Sequence, residues 1–205
     1  MQDRQHSHVR ETARQYAGQE SRLTYRDYLQ LPPGPRYELL GGEVLVMDSP
    51  STLHQTILMR LAHALYTQLE CAGKGRVFVA PLDIVLSEHD VVQPDLIWVA
   101  QDRLSLIEDQ CIRGAPSLVV EVLSPSTEQR DREPKRELYG RAGVREYWLI
   151  DAQAGTLDVA VLDGGRLVTR GCYSEDDTVH MVLAPEVVVG LGTVLRRPAP
   201  APSSC

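Results

Sequence analysis

Three ionisable residues, Asp95, Glu121 and Lys135, stand where their surroundings are apolar. Glu121 interrupts the run Leu118-Val119-Val120-Glu121-Val122-Leu123, and Pro94-Asp95 opens the run Leu96-Ile97-Trp98-Val99. A carboxylate inside an aliphatic strand is costly unless it is paired, hydrogen-bonded or bound to a metal. Strand alternation puts Glu121 on one face with Val119 and Leu123, and Asp95 with Ile97 and Val99. Lys135 precedes Leu138, Tyr139 and Ala142 at helical intervals, so it lies on the inward stripe of its helix. Two carboxylates and a backbone carbonyl, that of Val122, make a hard oxygen site suited to Mg²⁺, with positions left for water and a phosphate oxygen. The chemistry of such a site is phosphoryl transfer to water, with a lysine beside it to orient that water or to neutralise developing charge.

Each residue also has a plainer reading. Asp95 beside proline suits a turn or cap, Lys135 can extend its ammonium to water, and Glu121 can serve in a structural ion pair. Taken together the three favour a site, because they could satisfy one another around a cation. Asp83 is read as a turn residue or a hydrogen-bonding neighbour of that site. His54 is read as a capping or packing histidine, Asp131 as a cap, and Ser124, Ser126 and Thr127 as loop hydrogen bonders.

The elements that must position these residues follow from pattern. Thr24 to Leu29 reads as a short helix capped by Thr24, with Asp27 three residues on. Gly41-Gly42 between Tyr37–Leu40 and Glu43–Met47 predicts a two-residue hairpin. Thr52 and Gln55 have capping-box spacing ahead of a helix carrying Ile57, Leu58, Leu61, Leu65 and Leu69, which Gly73 would end. Short strands are expected at Val77–Val79 and Asp83–Leu86, then a stretch from Val91 to Val99 in which Asp95, after Pro94, begins a strand, and a polar connection from Gln101 to Gly114. The run Leu118–Leu123 reads as a strand covered on both faces. A helix with Pro134 in its first turn and a stop at Gly143 follows, then a strand Arg145–Ile150 packing Tyr147 and Trp148. From Thr156 onward, strands and turns suggest an antiparallel addition. The expected division is a polar tail (1–22), one domain (23–195) and a Pro/Ala-rich tail (196–205).

Several strings together resemble a known family. Pro94-Asp95 followed by Glu121-Val122-Leu123 is similar to the signature of the PD-(D/E)xK nuclease superfamily. Tyr37-Glu38-Leu39-Leu40-Gly41-Gly42-Glu43, His54, Gly114-Ala115-Pro116, Glu121-Val122-Leu123-Ser124-Pro125-Ser126-Thr127, Asp131…Lys135…Tyr139 and Gly143-Val144-Arg145-Glu146-Tyr147-Trp148 resemble the restriction endonuclease-like Uma-two family. The superfamily pattern would place lysine at position 123, where Leu123 stands, whereas the Uma-two pattern carries it on the next helix, at Lys135. The resemblance implies Asp95 and Glu121 as metal ligands, Lys135 as the displaced lysine and Glu38 as a further acid near the metal. It also implies an α/β fold, a restriction-endonuclease-like mixed sheet flanked by helices with an antiparallel C-terminal extension.

Bulk properties set limits. The chain of 205 residues is 43% hydrophobic with one Phe, so its core is aliphatic, and no run approaches a membrane span. The polar N-terminus is unlike a secretory signal, and Cys71, Cys111, Cys172 and Cys205 lack paired spacing, which suits a cytoplasmic protein. A formal charge of −7 is unlike a general nucleic-acid binder, although net charge does not report local patches. The expected function is Mg²⁺-dependent hydrolysis of nucleic acid, DNA foremost, with Mn²⁺ as a substitute metal and a two-fold homodimer as a compatible assembly. The alternatives are a silent module of the same fold that binds nucleic acid or protein, and a purely structural ion-pair cluster.

Overall fold

The computed structural model describes residues 22–124 and 132–197. The stretch before Arg22, the loop carrying Ser126, Thr127 and Asp131, and the tail from position 198 lie outside the described residues. A short helix α1 (Tyr25–Tyr28) is closed by Asp27, whose Oδ2 accepts from Thr24 N at 2.8 Å and from Thr24 Oγ1 at 2.7 Å. Strands β1 (Arg36–Leu40) and β2 (Glu43–Met47) form the expected hairpin, with Gly41 and Gly42 at φ 58° and 85°. Positive φ at both turn positions is what a type I′ turn needs and glycine supplies. Helix α2 (Thr52–Leu65) continues through a wider π-helical turn, Tyr66–Glu70. Its cap is Ser51, one residue earlier than the Thr52–Gln55 spacing suggests, because Ser51 Oγ accepts from His54 N at 3.1 Å.

Among the described residues six strands form the central sheet, in the order β11-β10-β9-β8-β6-β3. These are β3 (Gly75–Val79), β6 (Leu96–Ala100), β8 (Leu118–Val122), β9 (Glu146–Asp151), β10 (Thr156–Asp163) and β11 (Arg166–Ser174). A second sheet, β2-β1-β5-β4-β7, adds β4 (Asp83–Ser87), β5 (Asp90–Val92) and β7 (Cys111–Arg113). Gln93-Pro94-Asp95 breaks the stretch from Val91 to Val99 and carries the chain from one sheet to the other, and β6 starts directly after the Asp95 expected to begin a strand. Proline cannot donate to a ladder, so it suits that break. The expected polar connection Gln101–Gly114 instead holds a 3₁₀ helix (Gln101–Leu106) and β7, since Ile112 and Cys111 have apolar surface to bury. The C-terminal extension is the pair β12 (Thr178–His180) and β13 (Val188–Gly190), followed by α4 (Leu191–Leu195), whereas β10 and β11 belong to the central sheet itself.

Alternation along β8 separates two cores. Leu118, Val120 and Val122 join Ile57, Leu58, Leu61 and Leu65 of α2 on one face. Val119 and Leu123 face the other way, into a core shared with Ile84 and Val92 of the second sheet. Strands β8 and β9 are parallel, so their connection must cross a face of the sheet. Helix α3 (Pro134–Ala142) makes that crossing on the second face and ends at Gly143, φ 94°. Of the described residues, no helix is long and apolar enough to cross a membrane.

Glu146 is fully buried at the start of β9 and accepts from Trp148 Nε1 (2.8 Å), Val182 N (3.1 Å) and Leu183 N (2.9 Å). Burial raises its pKa above the usual glutamate range, against the lowering effect of these three donors. The folded chain therefore keeps this proton to higher pH than the unfolded chain does. Its contribution to stability is greatest below the unfolded value and declines as pH rises toward the folded one. Urea unfolding should show wild type losing stability relative to Glu146→Gln as pH is raised from 4 to 7; a constant difference would contradict the shift.

Candidate active site

Glu38, Glu121 and Lys135 meet in the core between the two sheets. Tyr37 and Leu39 face the core of the second sheet, so Glu38 points the opposite way, toward the central sheet. Crossover helix α3 lowers Lys135 onto the face that carries Glu121. Lys135 Nζ lies 2.9 Å from Glu38 Oε1 and 3.0 Å from Glu121 Oε1. Exposure is 0% for Glu38, 3% for Glu121 and 1% for Lys135, so this is a buried ion triad. Tyr139, one helical turn beyond Lys135, donates its hydroxyl to the same Glu121 Oε1 at 2.7 Å. Burial first, and then the nearby charges of Glu121 and Glu38, hold the Tyr139 pKa well above its ordinary value, so the hydroxyl remains a donor.

Asp95 occupies the next position along the same junction. The ladder between β6 and β8 ends at Leu96↔Val120, one residue short of Asp95 on one strand and of Glu121 on the other. Asp95 Oδ2 accepts from Val122 N at 2.8 Å, and Asp95 Oδ1 lies 3.0 Å from His54 Nε2. His54 comes from α2, on the opposite face, so Asp95 at the strand end ties the two faces together. The side chains of Asp95 (14% exposed) and His54 (9%) are more open than the triad.

Of the four side chains singled out from sequence, Lys135 contacts both Glu38 and Glu121, and Asp95 is hydrogen-bonded to the Val122 N–H beside Glu121. Among the described residues Glu38 Oε2 is buried with no hydrogen-bond partner, an arrangement costly for a carboxylate oxygen. Among the described residues, no three His, Cys, Asp or Glu side chains are placed to hold a metal by themselves. A cation here would rest on two side-chain carboxylates, a carbonyl and water, and this hard donor set fits Mg²⁺ or Mn²⁺.

Sequence reasoning underweighted three neighbours. His54 is not a mere packing residue; its place three and four residues before Ile57 and Leu58 already put it on the inward stripe of α2. Tyr139, four residues after Lys135, shares that lysine's stripe. A further signal lay in composition: of 21 lysines and arginines only two, Lys74 and Lys135, are lysines. Gln93, which donates its backbone N–H to Glu38 Oε1 at 2.9 Å, had no sequence signal.

Comparison with known proteins bears on this geometry. The family model Uma2, described as "Putative restriction endonuclease", matches residues 25–192. An uncharacterised protein of Synechocystis sp. is 30% identical over 142 residues, covering 67% of this chain and 73% of that one. The crystal structure of a "putative nuclease belonging to DUF820" from Anabaena variabilis matches with a TM-score of 0.71 and 21% identity, covering 84% of this chain and 97% of that one. At that identity the likeness establishes a shared fold. With a family match that spans most of its length and includes Glu38, Asp95, Glu121 and Lys135, this chain belongs to the Uma2 family.

Proposed function

We propose that this protein is a divalent-metal-dependent endonuclease that hydrolyses phosphodiester bonds, with DNA as its substrate. The observation that carries the reading is Lys135 Nζ held between Glu38 and Glu121, with Asp95 Oδ2 accepting from the N–H of Val122, the residue after Glu121. Mg²⁺, or Mn²⁺ in its place, would be held by Asp95, Glu121 and the Val122 carbonyl, and would supply Lewis-acid polarisation of the phosphoryl oxygen and acidification of a water. Lys135 then orients that water or balances the negative charge that builds on the phosphoryl oxygens. Glu38 and Glu121 hold the ammonium in place, Tyr139 fixes Glu121, and His54 with the Val122 N–H fixes Asp95. The substrate approaches from the Asp95–His54 side, where the site is least covered.

Burial of the triad favours one second reading, a silent module of this fold that binds nucleic acid or protein. A supercoiled-plasmid assay separates the two. Wild type should nick the plasmid in Mg²⁺ or Mn²⁺, stop on chelation, and lose both cleavage and calorimetric Mn²⁺ binding in Glu121→Ala. Metal binding identical in wild type and Glu121→Ala would eliminate the metal site, and plasmid left intact in Mn²⁺ would favour the silent module.

A further inference from the structure

We infer that Gln93 is a positioning residue, holding the Glu38 carboxylate and through it the Lys135 ammonium in register with Glu121. The role assigned to Lys135 in catalysis rests on the nuclease reading, but the positioning itself does not. Gln93 lies in the tripeptide that passes between the two sheets. Its backbone N–H donates to Glu38 Oε1, the same oxygen that receives Lys135 Nζ. The position of that N–H is set by the side chain: Gln93 Nε2 donates to Asp83 Oδ1 at 2.8 Å and to Tyr28 OH at 3.2 Å. Tyr28 OH in turn lies 2.8 Å from Asp83 Oδ1 and 3.1 Å from the Tyr37 carbonyl, next to Glu38 in β1. Burial and the Asp83 charge raise the Tyr28 pKa, so this hydroxyl also stays protonated.

The chain of contacts therefore runs from α1 through Asp83 and Gln93 to Glu38, Lys135, Glu121 and Tyr139. Two features make Gln93 more than filler. One segment reaches both acids, since its N–H holds Glu38 while Asp95, two residues on, accepts from the N–H of Val122, next to Glu121. Asp83 can only accept, so the amide must turn its nitrogen inward, and Gln93 Oε1 is then buried without a partner among the described residues. That orphan oxygen is tolerated although a side chain with donors alone would satisfy the site better. The network thus asks for donors at position 93, which sets up a discriminating series: Gln93→Lys keeps donors, Gln93→Leu removes them, and Gln93→Glu sets a second carboxylate against Asp83.

The readout independent of activity is access to Lys135. The sequence has only one other lysine, Lys74, which lies at the surface paired with Glu186 and serves as an internal control. Wild type is acylated with an amine-reactive ester and the labelled peptides are quantified by mass spectrometry. Lys74 should label readily and Lys135 barely. In Gln93→Leu and Gln93→Glu, Lys135 labelling should rise severalfold while Lys74 labelling stays constant, and Gln93→Lys should restore protection. In the cleavage assay, kcat should fall by about tenfold or more in the Leu and Glu variants with little change in KM, the scale of losing an outer-shell partner. Lys135 as protected in Gln93→Glu as in wild type would overturn the inference. So would labelling of both lysines rising in step, or Gln93→Lys behaving like Gln93→Glu. If wild type cuts nothing, the nuclease reading fails, and the labelling still decides the role of Gln93.

Discussion

Replacing Lys135 by Met is expected to lower unfolding free energy by about 3–5 kcal/mol, the usual cost of leaving a buried ion pair without one partner. Here the loss strands two carboxylates, because Glu38 and Glu121 share the ammonium through Oε1 atoms at 2.9 and 3.0 Å. Met preserves most of the volume, so the change tests charge more than packing. Cleavage should vanish with it. The destabilisation should be partly relieved by adding Glu38→Gln, since one uncompensated charge is then removed. Residues in one network couple, and a double-mutant cycle in urea measures that coupling. A Lys135→Met protein as stable as wild type would show that the triad does not hold the two sheets together, and one that still cuts DNA would remove Lys135 from the reaction.

Asp95→Asn is expected to separate chemistry from architecture. The amide oxygen can still accept from Val122 N, and the amide nitrogen can face His54 Nε2 if that ring nitrogen is unprotonated. Stability should therefore change by about 1 kcal/mol or less, the net worth of one hydrogen bond. Cation affinity and cleavage, which need the anionic oxygens, should each fall by more than about 100-fold, beyond the range for outer-shell partners. Calorimetry with Mn²⁺ and the plasmid assay measure the two effects. Unchanged cation affinity in Asp95→Asn would move the metal away from Asp95 and leave that residue as a strand-end tether.

Much of this could be read directly from residue order. A carboxylate amid Val119, Val120 and Val122 needs a partner in any fold, and a lysine on the stripe of Leu138 and Tyr139 must point inward. Periodicity likewise located α2, the Gly41-Gly42 hairpin and the buried strand β8, because 3.6-residue and two-residue repeats are local properties of the chain. Less legible was the break at Gln93-Pro94-Asp95. Pro94-Asp95 marks where a strand begins, but the parting of β5 and β6 into different sheets depends on which strands compete for each edge. The same holds for β7, a three-residue strand whose pairing with β4 has no local signature.

By itself, then, the sequence determined which groups could not be left alone in an apolar interior: Glu121, Lys135 and the acids named with them. Tertiary structure decided who satisfies whom. Only the packing of the second sheet against the crossover helix brings Glu38, 97 positions before Lys135 in the chain, to the same ammonium as Glu121. Only the meeting of α2 and β6 at a strand end gives Asp95 to His54. Burial cost is a property of a residue and its neighbours in sequence, whereas a hydrogen bond between distant segments is a property of how layers stack, and no local pattern encodes it.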